Sequence, residues 1–66
     1  MSHNQSWPNL VGMPVNEAVA AIKSENPSLN VIPVAEHSPV TMDLRMDRVR
    51  VFFDANNQVS SAPSIG

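Results

Sequence analysis

The sequence predicts an α+β fold, with one helix packed on a small sheet in a single small domain. Three observations carry that reading. Apolar residues recur at helical spacing between Pro14 and Asn26. A two-residue alternation runs from Arg48 to Asp54. Between Val34 and Arg48 lie 13 residues, 35–47, with no helical period and a proline among them.

A chain of 66 residues is one domain. Folding at this size removes only about 60% of the unfolded surface from water, so the core is small. There is no cysteine, which excludes disulfides, zinc-finger sites and a thiol nucleophile. His3 and His37 alone do not make a metal site, so neither metal nor cofactor is expected. One apolar core must supply the stability, and the 42% apolar content favours globular folding over disorder. A net charge of −2 makes the chain a poor electrostatic partner for nucleic acid. Its apolar runs are far too short to span a membrane. The opening MSHNQSWP lacks the basic and apolar regions of a signal peptide. The chain is therefore expected either to stay where it is made or to be the mature form of a secreted or vacuolar protein.

Residues 1–6 are polar and are expected to form a flexible tail, with the domain proper spanning 7–66. Trp7, the only tryptophan, is read as a packing residue at the edge of the core. Gly12 marks a turn. In PVNEAVAAIKSEN, Val15, Ala18, Val19 and Ile22 form one apolar stripe. Pro14 suits the first helical turn, where a missing N–H costs nothing. Glu17 favours the helix dipole, and Asn26-Pro27 ends the helix. The stripe is rich in small residues, so a sheet can approach it closely, and core packing is its reading rather than a binding face.

LNVIPV, Leu29 to Val34, reads as the first strand, with Pro33 confined to an edge or a bulge. RVRVFFD, Arg48 to Asp54, is the stronger strand. Its alternation puts Val49, Val51 and Phe53 on the helix side and Arg48, Arg50 and Phe52 on the other. ANNQ, Ala55 to Gln58, is a turn in which Asn tolerates left-handed backbone. VSSAPSIG is a short terminal strand or an extended tail.

The segment 35–47 is the anomaly. Loops this long without structure of their own are uncommon in compact domains and are usually functional. The length also permits a parallel crossover. Pro39 fixes its own φ and drives Ser38 toward extended geometry. Val40 and Thr41 are β-branched and stiff. Arg48 and Arg50 share one strand face, spaced to reach the loop, and Asp43 is an evident target for a guanidinium. The result is a stiff, braced, extended segment presenting Met42. An extended strand that displays one unbranched apolar side chain is what a serine protease binds as substrate. Bracing lowers the ordering cost of that binding.

These residues resemble the potato type I family of serine protease inhibitors, the family of eglin and the barley chymotrypsin inhibitor. The resemblance covers residues 7–66. WPNLVG is similar to the family's opening, SPVTMDLR followed by DRVRVFFD to its reactive loop and supporting strand, and APSIG to its ending. It implies a helix on a small mixed sheet with a parallel central strand pair and a long exposed reactive loop at one end. It implies a reactive bond Met42–Asp43, with Ser38, Pro39, Val40, Thr41 and Leu44 as the flanking protease-contacting residues. Arg48 and Arg50 match the arginines that hydrogen-bond Thr41 and Asp43. Arg45 matches a further basic residue under the loop, near the terminal Gly66 carboxylate. The implied partners are chymotrypsin-like and subtilisin-like serine endopeptidases, met by a monomer. Three positions depart from the pattern. His37 stands where several members have glycine, Pro14 where Ser or Thr often caps the helix, and Ala35 where a proline is usual, with Pro33 two residues earlier.

Catalysis is not expected. Ser38, His37 and Asp43 are triad residue types, but Ser38 and His37 are neighbours on an extended segment and point apart. Asp43 and Asp47 interleave with Arg45, Arg48 and Arg50, so a charge network explains the arginines better than nucleic acid does. The alternative to protease inhibition is an interaction module that uses the same loop on a partner that is not a protease.

Overall fold

The computed structural model describes residues 6–66. Residues 1–5 of the expected tail lie outside the described residues, and Ser6 forms an antiparallel bridge with Ser64. The Trp7 N–H donates to the Pro63 carbonyl at 2.9 Å, which ties the start of the domain to its end. A short 3-10 turn, Pro8–Leu10, buries Leu10. The chain then turns at Gly12, whose φ of 90° suits a residue without Cβ.

The helix α1 spans Val15–Glu25. Pro14 stands just before its first residue rather than inside the first turn. Its ψ of 134° is extended, and no side chain caps the helix. Its carbonyl nevertheless accepts from the Glu17 and Ala18 N–H groups, both at 3.0 Å. Proline thus supplies the acceptor of a cap without the side-chain partner. At the other end Asn26 is extended, as the following Pro27 demands. Along the apolar stripe Ala18 and Ile22 are fully buried, while Val15 and Val19 flank them half-buried.

Three strands form the sheet among the described residues: β1 (Asn30–Ala35), β2 (Arg48–Phe53) and β3 (Ser64–Ile65), in the order β1-β2-β3. β1 and β2 are parallel, in a register running from Asn30 opposite Arg48 to Ala35 opposite Phe53. β3 is antiparallel to β2. β1 begins and ends one residue later than the alternation indicated. Leu29 is taken by a turn, its N–H bonded to the Asn26 carbonyl at 3.1 Å, and sheet pairing opens with Asn30 N–H on the Asp47 carbonyl at 2.7 Å. Pro33 lies on an edge strand, as a residue without an N–H must.

The helix packs on β1 and β2. Ile22, Val49 and Val51 form the centre, with Leu10, Leu29, Val31 and Val59 around them and Trp7 closing one edge. The Trp7 Nε1–H donates to Glu25 Oε2 at 2.7 Å, so its polar end is satisfied at the rim. Phe53 departs from expectation. It shares the parity of Val49 and Val51, yet it is only half-buried. It is the last residue of β2, paired with Ala35 on one side and bridged to Val59 on the other.

Among the described residues, two other than glycine have positive φ, Asn57 at 61° and His37 at 69°. Asn57 sits in the turn after β2, where the Asp54 carboxylate accepts from the Asn56 and Gln58 N–H groups at 2.8 and 3.1 Å. Asparagine and histidine both visit that conformation more often than most residues, but each carries a Cβ penalty that glycine does not. His37 occupies the turn where β1 gives way to the loop. Replacing it relieves a left-handed penalty of about 1–2 kcal/mol, offset by roughly 0.4–1 kcal/mol of added unfolded-state freedom. His37→Gly is therefore expected to stabilise the protein by about 0.5–1 kcal/mol, read as a higher midpoint in urea. An unchanged or lower midpoint would show that the turn carries no strain.

Candidate functional site

The segment between the parallel strands, 36–47, makes a turn at each end and has no regular structure between them. It is clamped by backbone at both ends. Glu36 N–H donates to the Phe53 carbonyl at 2.8 Å, and the Asp47 carbonyl takes the Asn30 N–H. Ser38 is half-buried, and Pro39, Val40, Thr41, Asp43 and Arg45 are exposed. Met42 is 96% exposed, against 74% for Leu44, 53% for Met46 and 39% for Val40. Met42 is thus not the loop's sole exposed apolar side chain, but it is the most exposed and contributes nothing to the core.

The residues on either side of Met42 are held from β2. Arg50 Nη2 donates to Thr41 Oγ1 at 2.8 Å. Arg48 Nη2 donates to the Asp43 carbonyl at 2.7 Å, and its Nη1 pairs with the Asp43 carboxylate at 3.4 Å. The third edge of the Arg48 fork, Nε, donates to the Gly66 oxygen at 3.0 Å, while Gly66 N–H returns a bond to the Arg48 carbonyl at 2.9 Å. These contacts explain how Arg48 can be buried, with its side chain only 9% exposed. Each polar edge has a partner, so its desolvation is compensated. The two braces differ in kind: Arg48 is sheltered, and the bond of Arg50 lies at the surface.

Arg45 is placed differently from its expected position. It extends toward Asp47, Nε to Oδ1 at 3.7 Å, with 59% of its side chain exposed. Arg48, and not Arg45, engages Gly66. Arg45 is only two residues from Asp47 and pairs with it at the surface, while β3 carries Gly66 directly alongside the start of β2. The tip of Leu44 lies over Gly66. Residue types could not have revealed the backbone clamps at Glu36 and Asp47, which carry no side-chain signature.

The Thr41 hydroxyl has the largest influence on the Asp43 carboxyl and, with the backbone of Asp43 itself and the charge and hydrogen bond of Arg48, holds it below the usual aspartate range; desolvation, second in size, opposes them. Among the described residues no group of three His, Asp or Glu side chains is placed to hold a metal ion. Among the described residues no helix is long and apolar enough to cross a membrane. The site is a surface of presentation, with an exposed side chain at the centre and fixed backbone to each side.

Comparison with known proteins places this geometry. The model of the Potato inhibitor I family matches residues 1–66. The chain is 46% identical over 61 residues to Protease inhibitor HPI of Hevea brasiliensis, covering 92% of this chain and 87% of that one. It is 41% identical over 61 residues to a chymotrypsin inhibitor of Lumbricus terrestris, covering 92% and 71%. Among solved structures, bitter gourd trypsin inhibitor superimposes with a TM-score of 0.89 at 41% identity, covering 92% of this chain and 90% of that one. These relatives are named as inhibitors of proteases, not as enzymes.

The unequal shelter of the two arginines gives them unequal weight. Arg48→Ala is expected to cost about 2–3 kcal/mol of unfolding free energy, through its sheltered charge-assisted bonds. Arg50→Ala is expected to cost about 0.5–1 kcal/mol. Chemical denaturation of both variants checks the order, and equal losses would contradict it. The low pKa of Asp43 adds a pH signature. A carboxyl whose folded pKa is depressed stabilises the fold above its unfolded value, and that contribution disappears as the pH falls through the lower folded one. Stability is therefore expected to decline on acidification below the ordinary aspartate value of 3.8. In Asp43→Asn that component of the pH curve should be missing.

Proposed function

The chain belongs to the Potato inhibitor I family of serine protease inhibitors, and from that premise we propose that residues 7–66 act as a monomeric inhibitor domain presenting Met42–Asp43 as the bond a serine endopeptidase attacks. The observation that carries this is the exposure of Met42 between two residues held by Arg50 and Arg48. Ser38, Pro39, Val40, Thr41 and Leu44 supply the rest of the contact, and Arg45 stands at its outer edge. An unbranched, apolar, flexible side chain suits the deep apolar pocket of chymotrypsin-like and subtilisin-like enzymes. A pocket lined for a basic residue would leave its buried charge unpaired against methionine. Relatives of this chain are named for trypsin and Hageman factor in Cucurbita maxima and for chymotrypsin in Lumbricus terrestris. One scaffold thus serves several specificities, and the residue at position 42 is where this chain states its own.

Inhibition rather than digestion follows from the braces. The protease serine would attack the Met42 carbonyl, and the Asp43 nitrogen would leave as an amine. That amine belongs to the residue whose carbonyl and carboxylate are held by Arg48, which is itself buried and fastened to Gly66. It stays beside the acyl carbon at high effective concentration and blocks the hydrolytic water, so religation outpaces hydrolysis. On the other side Arg50 holds Thr41, next to the acylated residue.

Titration against chymotrypsin, subtilisin, elastase and trypsin tests the assignment. Burying a methionine stabilises a complex by roughly 1.5–3 kcal/mol. Met42→Gly is therefore expected to weaken chymotrypsin inhibition about tenfold to more than a hundredfold with the fold intact. Met42→Lys should move the preference toward trypsin. Oxidising Met42 to the sulfoxide makes it polar and should act as Met42→Gly does, with Met46→Leu as the control for the second exposed methionine. Inhibition indifferent to position 42 would place the anchor elsewhere.

Mass spectrometry with a catalytic amount of chymotrypsin tests the mechanism. A slow approach to a mixture of intact and Met42–Asp43-cleaved chains, reached from either form, is expected. Rapid digestion at scattered bonds would show a substrate instead.

A further inference from the structure

Exposed apolar side chains are not scattered over this molecule. Among the described residues the large ones are Val11, Val40, Met42, Leu44 and Met46. Val11 stands singly in a turn. The other four recur at every second position of the loop. The positions between them carry the polar side chains that are engaged: Thr41 by Arg50, Asp43 by Arg48, and Arg45 beside Asp47. Residues 40–45 contain neither helix nor turn, so side chains two apart fall on one side of the chain and their neighbours on the other. Thr41 and Asp43 are drawn toward β2, which turns Val40, Met42 and Leu44 to solvent. Met46 continues the row at the first position of the following turn and keeps 53% of its surface exposed.

The support of the loop makes no use of the Met46 side chain. It is not part of the core, whereas Met13 packs against it. Its backbone is nevertheless fixed. The Arg45 carbonyl before it accepts from the Arg48 N–H at 3.4 Å, and the Asp47 carbonyl after it accepts from the Asn30 N–H at 2.7 Å. An apolar side chain on a fixed backbone binds at a low ordering cost. Single exposed apolar residues need no explanation, but a contiguous run of them marks a contact surface.

We propose that Met46 is a specificity-determining residue, seated with Leu44 on an apolar surface of the endopeptidase beyond the Met42–Asp43 bond, an assignment that rests on the inhibitory reading above and narrows its partner. The enzyme that fits this loop has an apolar pocket for Met42. On the side that receives the leaving amine it also has an apolar groove long enough for two more side chains. An enzyme lined with polar or charged groups there would bury them unpaired against Leu44 and Met46, and is disfavoured.

Met46→Gln is the test, because glutamine keeps the length of methionine and removes its apolar character. Inhibition is titrated on chymotrypsin, subtilisin, elastase and trypsin, and parent and variant are compared on the enzyme the parent inhibits most tightly. About half of the side chain is left to bury, so the inhibition constant is expected to rise about three- to tenfold, mainly through faster dissociation. Met46→Leu, which keeps the apolar contact, should recover most of that loss. Leu44→Asn should weaken inhibition at least as much as Met46→Gln. In Met42→Gly/Met46→Gln the two fold-changes should multiply, because the side chains meet separate parts of the enzyme. In the free Met46→Gln protein the urea midpoint and the hydrogen exchange of the Thr41, Met42 and Asp43 amides should match the parent. An inhibition constant unchanged by Met46→Gln would overturn the assignment. So would an equal loss in Met46→Leu, or a loss accompanied by a lower midpoint or faster loop exchange, which would make Met46 a support of the loop. A parent that inhibits none of the four enzymes would instead overturn the inhibitory reading itself.

Discussion

Parallel pairing of β1 with β2 is the constraint from which the rest of the molecule follows. Parallel neighbours start at the same end of a sheet, so the chain leaving Ala35 must return the length of β1 before Arg48 can pair beside Asn30. Six residues at roughly 3.3 Å each make that distance about 20 Å. Most parallel connections cover it with a helix. Here residues 36–47 cover it with no regular structure of their own. An extended crossover leaves many backbone groups without sheet partners, so they face water and the segment stays on the surface. The exposure of Met42 is a consequence of topology before it is a matter of recognition.

A free crossover of that length would be an ordering cost that a small core could ill support. The returning strand supplies the remedy. Because β2 begins where the loop ends, its outward-facing residues lie under the loop they follow. Arg48 is five residues from Asp43, and Arg50 nine from Thr41. Arg48 also ties in β3 through Gly66, so the loop, the central strand and the last strand share one buried guanidinium. Removing any one of these partners would expose or orphan a charge that the other two depend on. That mutual dependence lets a small domain without cysteine hold a long irregular segment in one shape.

Much of this was legible in the sequence because it rests on periodicity and on punctuation. The helix, the strong strand, the turn at Asn57 and the edge position of Pro33 were each signalled by residue type at a spacing. Other features were not, for a common reason: they depend on where backbone meets backbone. The one-residue shift of β1 was decided by the turn at Leu29 and the pairing of Asn30 with Asp47. Phe53, at the last pair of β2, is only half-buried, which alternation cannot see. The arginines illustrate both cases. Their shared face and their reach to the loop could be read from spacing. That Arg48 rather than Arg45 would meet Gly66 could not, since it depends on β3 lying beside the start of β2. The long loop was itself a signal, because an unperiodic stretch in so short a chain demands an organiser, and the nearby arginines were the candidates.

The division of labour within the loop has a further consequence. The braces act on Thr41 and Asp43, through a hydroxyl, a carbonyl and a carboxylate. None acts on the Met42 side chain, which stands almost wholly in solvent. Position 42 can therefore change size, polarity or charge with little effect on the fold, since surface substitutions away from structural contacts usually alter stability by less than about 0.5 kcal/mol. Position 43 has no such freedom, because its carboxylate is part of the support. A scaffold arranged this way separates the residue that would select a partner from the residues that hold the shape the partner meets. That separation is a physical reason why proteins sharing this fold carry names as different as trypsin inhibitor and chymotrypsin inhibitor. The shape of the loop is set by β2 and Gly66, and the identity of its exposed side chain is left to vary.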